Sequence, residues 1–577
     1  MTETNVNRGG TGRAAAGPAC RVCDGELVLL VSGNGNGNGA LAADAFAPSS
    51  HEPGRHGDLL SCLECGTVQQ PELPAGAQLH ELYRDMSDDA YLVEETGRRA
   101  TAASLLDLIA EHVSSGRLLD VGCGHGLLLD EARRRGFDVV GLELSRSAAL
   151  HARAALGLDV REVPLEEFDS WNSFDVVVLA DVIEHLDDPV GAIESCARLL
   201  RPGGALCVVT PDPSSITARM AGSRWWGYLP AHTCLLPRAT LHELLGAQGL
   251  LVSADEPLVR SFSAARWASG LAERLGPARA PLDALARRLP DGASLSLALH
   301  DERAMIARRL EVQHPERPLV RDRGGPATVT LVLPAYHAEV TIPRVAEEIP
   351  VDAADRALLV DDCSGDDTLR VALEQGFDVV RHPVNRGYGA GQKTGYVRAL
   401  LDGADVIVMV HADDQYDPAL VPEMVAPILA GEADMVIGSR ILRDRAIAGG
   451  MPRWKWVGNR LLTGIENRVF GVQLSEYHTG YRAFSAQLLR SIPFLRNSDD
   501  FVFDQEIFAQ VLARGARIVE VPIPTRYFHE ASSVDLPTSV RYGVQTLGVL
   551  GRFAIDRRRG RWPLLRRSAR DLGGTDG

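Results

Sequence analysis

Lysine is almost absent from this chain. Only Lys393 and Lys455 contribute to its 60 basic residues, so positive charge is carried by arginine. Acidic residues number 76, and the formal charge of -16 excludes general nucleic-acid binding, which needs a basic face. No uncharged apolar run is long enough to cross a bilayer. Residues 1–17 lack an apolar stretch and are polar and glycine-rich, so no signal peptide is expected. The nine cysteines are odd in number and, without a secretory signal, fit a reducing compartment. These absences predict a cytoplasmic chain, at most peripheral at the inner face of a membrane.

What is present is enough for more than one core. A chain of 577 residues with 45% hydrophobic and 24% charged residues predicts two or three globular domains. Residues 1–17 read as a disordered tail, and 18–75 as a small cysteine module. That module is interrupted by the low-complexity run Gly33–Gly39, a flexible insertion with nothing to pack. In 76–260 short apolar strands around Leu119, Val140, Val177 and Val208 alternate with helical stretches, which predicts an α/β domain with a parallel sheet. Residues 261–326 read as a helical linker. A second α/β domain is expected over 327–538, with strands at 329–333, 357–360, 379–380, 406–410 and 435–437. A basic amphipathic tail, 539–577, closes the chain.

In the first α/β domain the run Asp120-Val-Gly-Cys-Gly-His-Gly126 follows a strand and opens a helix. Glycines at 122, 124 and 126 let the backbone turn tightly and approach a ligand, beside a helix N-terminus that favours negative charge. Glu143 ends the next strand, where a carboxylate can accept from both ribose hydroxyls of an adenosine-containing ligand. Together with Phe174–His185, which contains Asp181, and Leu200-Arg-Pro-Gly-Gly204, these motifs resemble the class I S-adenosylmethionine-dependent methyltransferases over roughly residues 80 to 250. The resemblance implies a Rossmann-like fold and S-adenosyl-L-methionine as methyl donor. It also implies a cofactor site of Asp120, Gly122, Gly124, Gly126, Glu143 and Asp181. Glu184, His185 and His232 are candidate general bases, histidine matching neutral pH best. The Trp225-Trp226-Gly-Tyr228 cluster is either an acceptor pocket or core.

Cys20-x-x-Cys23 and Cys62-x-x-Cys65 offer four thiolates, the ligand count of a closed tetrahedral zinc site. His51 and His56 fall in the insertion and are poorer ligands. A structural zinc ribbon ahead of such a domain resembles the sugar C-methyltransferases.

In the second α/β domain Leu333-Pro-Ala-Tyr-His-Ala-Glu339 and Val360-Asp-Asp-Cys-Ser-Gly-Asp-Asp-Thr368 follow strands, where α/β folds bind nucleotides. Asn385–Lys393 is a glycine-rich turn ending in a cation, and His411-Ala-Asp-Asp-Gln415 follows a further strand. Oxygen ligands there suit Mg²⁺ or Mn²⁺. These motifs resemble the family 2 glycosyltransferases of GT-A fold, from about Thr328 to Arg552, and among them the dolichyl-phosphate mannose synthases and bacterial polyprenyl-phosphate relatives. The resemblance implies a GDP- or UDP-linked nucleotide sugar held by Pro334, Tyr336, Glu339, Asp361, Asp362 and Lys393. It implies a metal at Asp413 and Gln415 with His411, where the group commonly has a second acid. It places Arg440 and Arg482 on phosphate, and Asp504 and Glu506 where inverting enzymes present a base.

Val540, Val544, Leu547, Val549, Leu550 and Phe553, followed by Arg557, Arg558, Arg559, Arg561, Arg566, Arg567 and Arg570, suit an anionic membrane surface and a polyprenyl phosphate acceptor, or else form an ordinary C-terminal helix with a disordered basic end. The chain thus reads as a bifunctional enzyme of cell-surface glycan biosynthesis, methylating a sugar or glycolipid. In the rival reading, the glycosyltransferase serves a soluble or protein acceptor and the first domain is a silent binding module.

Overall fold

The computed structural model describes residues 18–33, 56–71, 74–88, 91–263, 267, 294–442, 453–524, 536–556 and 562–566. The expected N-terminal tail, most of the insertion with His51, and all tail arginines from Arg557 onward except Arg566 lie outside these residues.

Three sheets organise the described residues. The smallest has strand order β1-β2-β3-β9, formed by Leu27–Val31, Leu59–Cys62, Val68–Gln69 and Cys234–Leu235. Its last strand comes from the first α/β domain, so the cysteine module is stitched into that domain through the pairs Val68↔Leu235 and Gln69↔Cys234.

The second sheet runs β10-β11-β8-β7-β4-β5-β6. Its parallel part is built from β4 (Arg117–Val121), β5 (Asp138–Leu142), β6 (Val160–Arg161), β7 (Phe174–Ala180) and β8 (Leu200–Pro211). Val176 to Leu179 are fully buried, as a strand covered by helices on both faces requires. The chain leaves β4 toward β5 and β6, then returns to β7 on its other side, which makes the end of β4 the switch point where open α/β sheets bind ligands.

The sheet also corrects two expectations. It is mixed, because β10 (Leu250–Ser263) and β11 (Ser294–Arg309) add an antiparallel edge on β8. Residues 294–309, expected within a helical linker, are this sixteen-residue strand. Its stretch Ala304-Met-Ile-Ala307 is buried, while Asp301, Glu302 and Arg303 hid the apolar pattern from a reading by composition.

The third sheet has order β12-β15-β14-β13-β16-β18-β17-β19. It comprises Val312–Gln313, Asp378–Arg381, Arg356–Asp361, Val329–Ala335, Val406–Met409, Arg482–Ser485, Met435–Ser439 and Ile518–Pro522. β13 is parallel to both β14 and β16, so the loops after these three strands meet at a second switch point. All five strands expected in this domain are present. Among the described residues, no helix is long and apolar enough to cross a membrane.

Candidate active sites

Six described non-glycine residues have left-handed backbone. Four of them, Asp181, His337, Cys363 and Asp414, lie within five residues past the ends of β7, β13, β14 and β16. Such strain costs about 1–3 kcal/mol per residue and persists where a site requires it.

At the first switch point a cavity of 990 Å³ is lined by Gly122, Gly124, Glu143, Asp181, Glu184, His185, Trp226, His232, Arg260 and Glu302 among others. A Cβ on Gly122 would stand 2.6 Å from a Val182 methyl, so the loop closes only around glycine. Glu143 accepts from Gly124 N–H and Ser145 N–H, both at 2.7 Å, one on each oxygen. Both oxygens keep acceptor capacity, as a diol ligand needs. Burial raises the Glu143 carboxyl, and burial with the neighbouring Glu143 pushes Asp120 up to about 8.

His185 and His232 stand edge to face, 4.8 Å between ring centres. His185 Nδ1 lies 3.1 Å from Ala231 O and 3.0 Å from Tyr83 Oη, and His232 Nδ1 lies 2.7 Å from Gly227 O. A carbonyl accepts only, so each Nδ1 carries the proton and each Nε2 presents a lone pair. Burial pushes His185 down to about 4, keeping it neutral near pH 7. Burial raises Glu184 well above the carboxylate range, with Asp181 adding to the effect. Glu184, His185 and His232 bring one ligand atom each within 4.8 Å, a geometry also open to a divalent cation.

Asp181 is taken by Arg260, 2.6 and 2.5 Å from its two oxygens, and Arg260 also holds Glu302. Burial alone would raise Asp181, but the guanidinium brings it below its ordinary value. Arg260 and Glu302 were not foreseen: one sits at the end of the expected domain and the other on the unexpected strand.

Cys20, Cys23, Cys62 and Cys65 are buried, with sulfur atoms within 4.8 Å of one another. Sγ–Sγ distances of 3.6 Å (Cys20–Cys65) and 3.4 Å (Cys23–Cys62) match the edge of a tetrahedron with Zn–S bonds of about 2.3 Å. Val22 N–H and Glu64 N–H donate to Cys20 and Cys62 at 3.4 Å, as suits thiolates. The donor set fits zinc.

At the second switch point Asp362 Oδ1 accepts from Arg386 N–H at 2.8 Å and stands 2.7 Å from His382 Nδ1, while Oδ2 accepts from Gly387 N–H at 2.7 Å. These bonds hold it below the carboxylate range against the effect of burial, and leave a lone pair on Oδ2. Asp361 is fully buried, accepts from Ser364 N–H and pairs with Arg381, so it shapes the loop from below. Pro334 is the penultimate residue of β13, Tyr336 is 54% exposed, and Glu339 accepts from Asp367 N–H at 2.9 Å.

Asp413 is partly exposed and accepts from Gln415 N–H at 3.2 Å. His411 Nδ1 lies 3.8 Å from the Asp413 carboxylate and its Nε2 lies 3.0 Å from Tyr388 Oη. A Cβ on Gly480 would stand 2.1 Å from His411 Nε2, so the histidine requires glycine there. Tyr388 continues to Asp504 at 3.4 Å, which also accepts from Gln392 at 3.1 Å and Arg482 at 3.0 Å. Tyr388 and Gln392, one helical turn apart, lay inside the glycine-rich run, and their shared face was the signal missed.

Three cations expected at the donor site, Arg440 and Arg482 on phosphate and Lys393 with the nucleotide sugar, are engaged by the protein's own groups. Arg482 is fully buried, binding Asp504, Thr479 O at 2.9 Å and Tyr477 O at 3.3 Å over the Phe508 ring. Its guanidinium fixes Asp504 from beneath. Arg440 pairs with buried Glu476 and donates to His478 O. Lys393 pairs with Asp499 at 2.8 Å and donates to Asn497 O. Glu506 accepts from Ser498 N–H at 2.6 Å, anchoring the same loop.

Against this geometry, family profiles described as "Methyltransferase domain" and "Glycosyl transferase family 2" match residues 93–254 and 330–492. The chain belongs to both families. Its two α/β domains are a methyltransferase and a family 2 glycosyltransferase. The uncharacterised protein MJ1222 of Methanocaldococcus jannaschii is 33% identical over 199 residues, 34% of this chain and 82% of that one. A Methanococcus voltae UDP-N-acetylglucosamine–dolichyl-phosphate N-acetylglucosaminyltransferase is 28% identical over 216 residues, 34% of this chain and 86% of that one. A ubiquinone biosynthesis O-methyltransferase of Rhodopseudomonas palustris is 34% identical over 163 residues, 26% of this chain and 64% of that one. Among solved structures, glucosyl-3-phosphoglycerate synthase from Mycobacterium tuberculosis is similar at 22% identity and TM-score 0.33, over 40% of this chain and 81% of that one.

Proposed function

We propose that the methyltransferase domain uses S-adenosylmethionine to methylate a sugar or glycolipid, and that the glycosyltransferase domain moves a sugar from a nucleotide donor to a polyprenyl phosphate. The observation that carries the first half is Glu143, fixed by two N–H groups with acceptor capacity left on both oxygens. Asp120 and the glycines at 122, 124 and 126 shape the donor loop. The sulfonium supplies the transferable methyl group, and His185 or His232, each held through Nδ1 by a backbone carbonyl, takes the acceptor's proton. The four cysteines hold a structural zinc.

In the second half Asp362 keeps one lone pair for the nucleotide, beside Pro334, Tyr336 and Glu339. Asp413 and Gln415, with His411 adjacent, would hold Mg²⁺ or Mn²⁺, which neutralises the diphosphate leaving group. An acceptor phosphate is already ionised near neutral pH and needs no base, so Asp504, held by Arg482, Gln392 and Tyr388, serves to place Tyr388 and His411. The Methanococcus relative, named for a UDP-sugar donor and a dolichyl phosphate acceptor, supports this donor and acceptor.

Lipid access is supported by two helices. Trp454, Val457 and Leu461 on Arg453–Phe470 and Val540, Val544 and Leu547 on Leu536–Asp556 are exposed apolar residues. Spacings of three, four and seven put each set on one helical face. Incubating the protein with UDP- and GDP-sugars and either polyprenyl phosphate or soluble sugars tests the reading. Transfer to the lipid phosphate is expected, and transfer to soluble acceptors alone would overturn it.

A further inference from the structure

The cysteine module reaches the methyl-transfer site through two adjacent glutamines. Gln69 and Gln70 are both 2% exposed, at the point where β3 pairs with β9. Gln69 brackets the first knuckle: its Oε1 accepts from Arg21 N–H at 3.1 Å and its Nε2 donates to Ala19 O at 3.3 Å. Gln70 points the other way. Its Nε2 donates to His232 O at 2.7 Å and to Leu229 O at 2.9 Å, with Pro230 O at 3.4 Å. Its Oε1 accepts from Gly57 N–H at 3.0 Å and its own N–H donates to Thr233 O at 3.0 Å.

The turn 229–233 is the element that orients both imidazoles. It carries His232, and its Ala231 carbonyl accepts from His185 Nδ1. Thr233 ties it to the loop of β7 through Glu184 O at 2.8 Å and Leu186 O at 2.6 Å. On the module's side Thr240 donates to Cys65 O at 2.6 Å. Buried carbonyls need donors, and the Gln70 amide supplies them to this turn.

We propose that Gln70 is a positioning residue for methyl transfer: the cysteine module presents its carboxamide to the turn 229–232 and thereby sets the directions of His232 and His185. The proposal rests on the reading that these histidines serve methyl transfer. It gives the four-cysteine module a task at the active site beyond folding.

Gln70→Glu separates the roles. It keeps the shape and the acceptor for Gly57 but faces oxygen toward the carbonyls of Leu229, Pro230 and His232. In the full chain, zinc content and S-adenosylmethionine affinity by calorimetry should stay at the wild-type level. Hydrogen exchange of the 229–233 amides should quicken roughly tenfold, the value of about one hydrogen bond. The carbethoxylation rate of His232 by diethyl pyrocarbonate, followed by peptide mass mapping, should change, while His411 reacts as before. Unchanged exchange and unchanged His232 reactivity would overturn the proposal. Loss of zinc in parallel would also overturn it, marking a folding defect. His232→Gln, assayed for tritium transfer from methyl-labelled S-adenosylmethionine to a panel of nucleotide sugars, tests the underlying reading separately.

Discussion

Glu243 and Arg496, 253 positions apart, form an ion pair between the two enzyme domains. Arg496 Nε donates to the Glu243 carboxylate at 2.8 Å and its Nη2 lies 2.7 Å away, with side chains 12% and 3% exposed. Asn497, the next residue, gives its carbonyl to Lys393, so the domain contact continues into the loop beside the sugar-transfer site. Glu243→Ala would leave a largely buried guanidinium unpaired, a loss of about 3–5 kcal/mol. Calorimetry should show a lower, broader transition that resolves into two, and an unchanged single transition would refute coupling through this pair.

Glu143→Ala removes the acceptor proposed for two ribose hydroxyls. The expected loss in S-adenosylmethionine affinity is roughly 1.5–3 kcal/mol for each bond to a charged group. Titration calorimetry measures it directly, and glycosyl transfer should be unaffected.

His185 gives a pH signature. Its pKa falls from 6.5 unfolded to about 4 in the fold, because burial disfavours the charged ring. Between these values the unfolded chain binds a proton that the folded chain does not, so stability declines as pH drops from about 6.5 to about 4. Above that window the group has no effect. Denaturant midpoints against pH should show a shallower decline for His185→Gln than for wild type.

Arg482→Lys keeps charge but gives up the planar fork that spans Asp504, Thr479 O and Tyr477 O. Glycosyl transfer should fall sharply while S-adenosylmethionine binding persists. Equal transfer by the variant would show that Asp504 needs no such support.

Strand ends, glycine turns and paired cysteines are local in the chain, and their chemistry was legible in sequence. Glu143 and Asp362 stand out in the sequence because each closes an apolar run, and the structure places each just after a strand at a switch point. The partners of the cations were not legible. Arg482, Arg440 and Lys393 meet Asp504, Glu476 and Asp499 through tertiary packing, and nothing local separates an intramolecular ion pair from a ligand contact. β11 escaped for a related reason: it extends the second sheet by pairing with β8 far away in the chain, from Glu302↔Pro211 to Arg308↔Ala205, and charges interrupt its pattern. Arg260 and Glu302 became visible as site residues only once that strand was placed.

Asp413→Ala tests most directly whether one chain carries two separate active sites. Nucleoside diphosphate release from a nucleotide sugar with polyprenyl phosphate, and S-adenosylmethionine binding, would be measured on the same preparation. Diphosphate release is expected to vanish while methyl-donor affinity equals that of the wild type. Unchanged diphosphate release, or pyrophosphate as the product, would contradict the account.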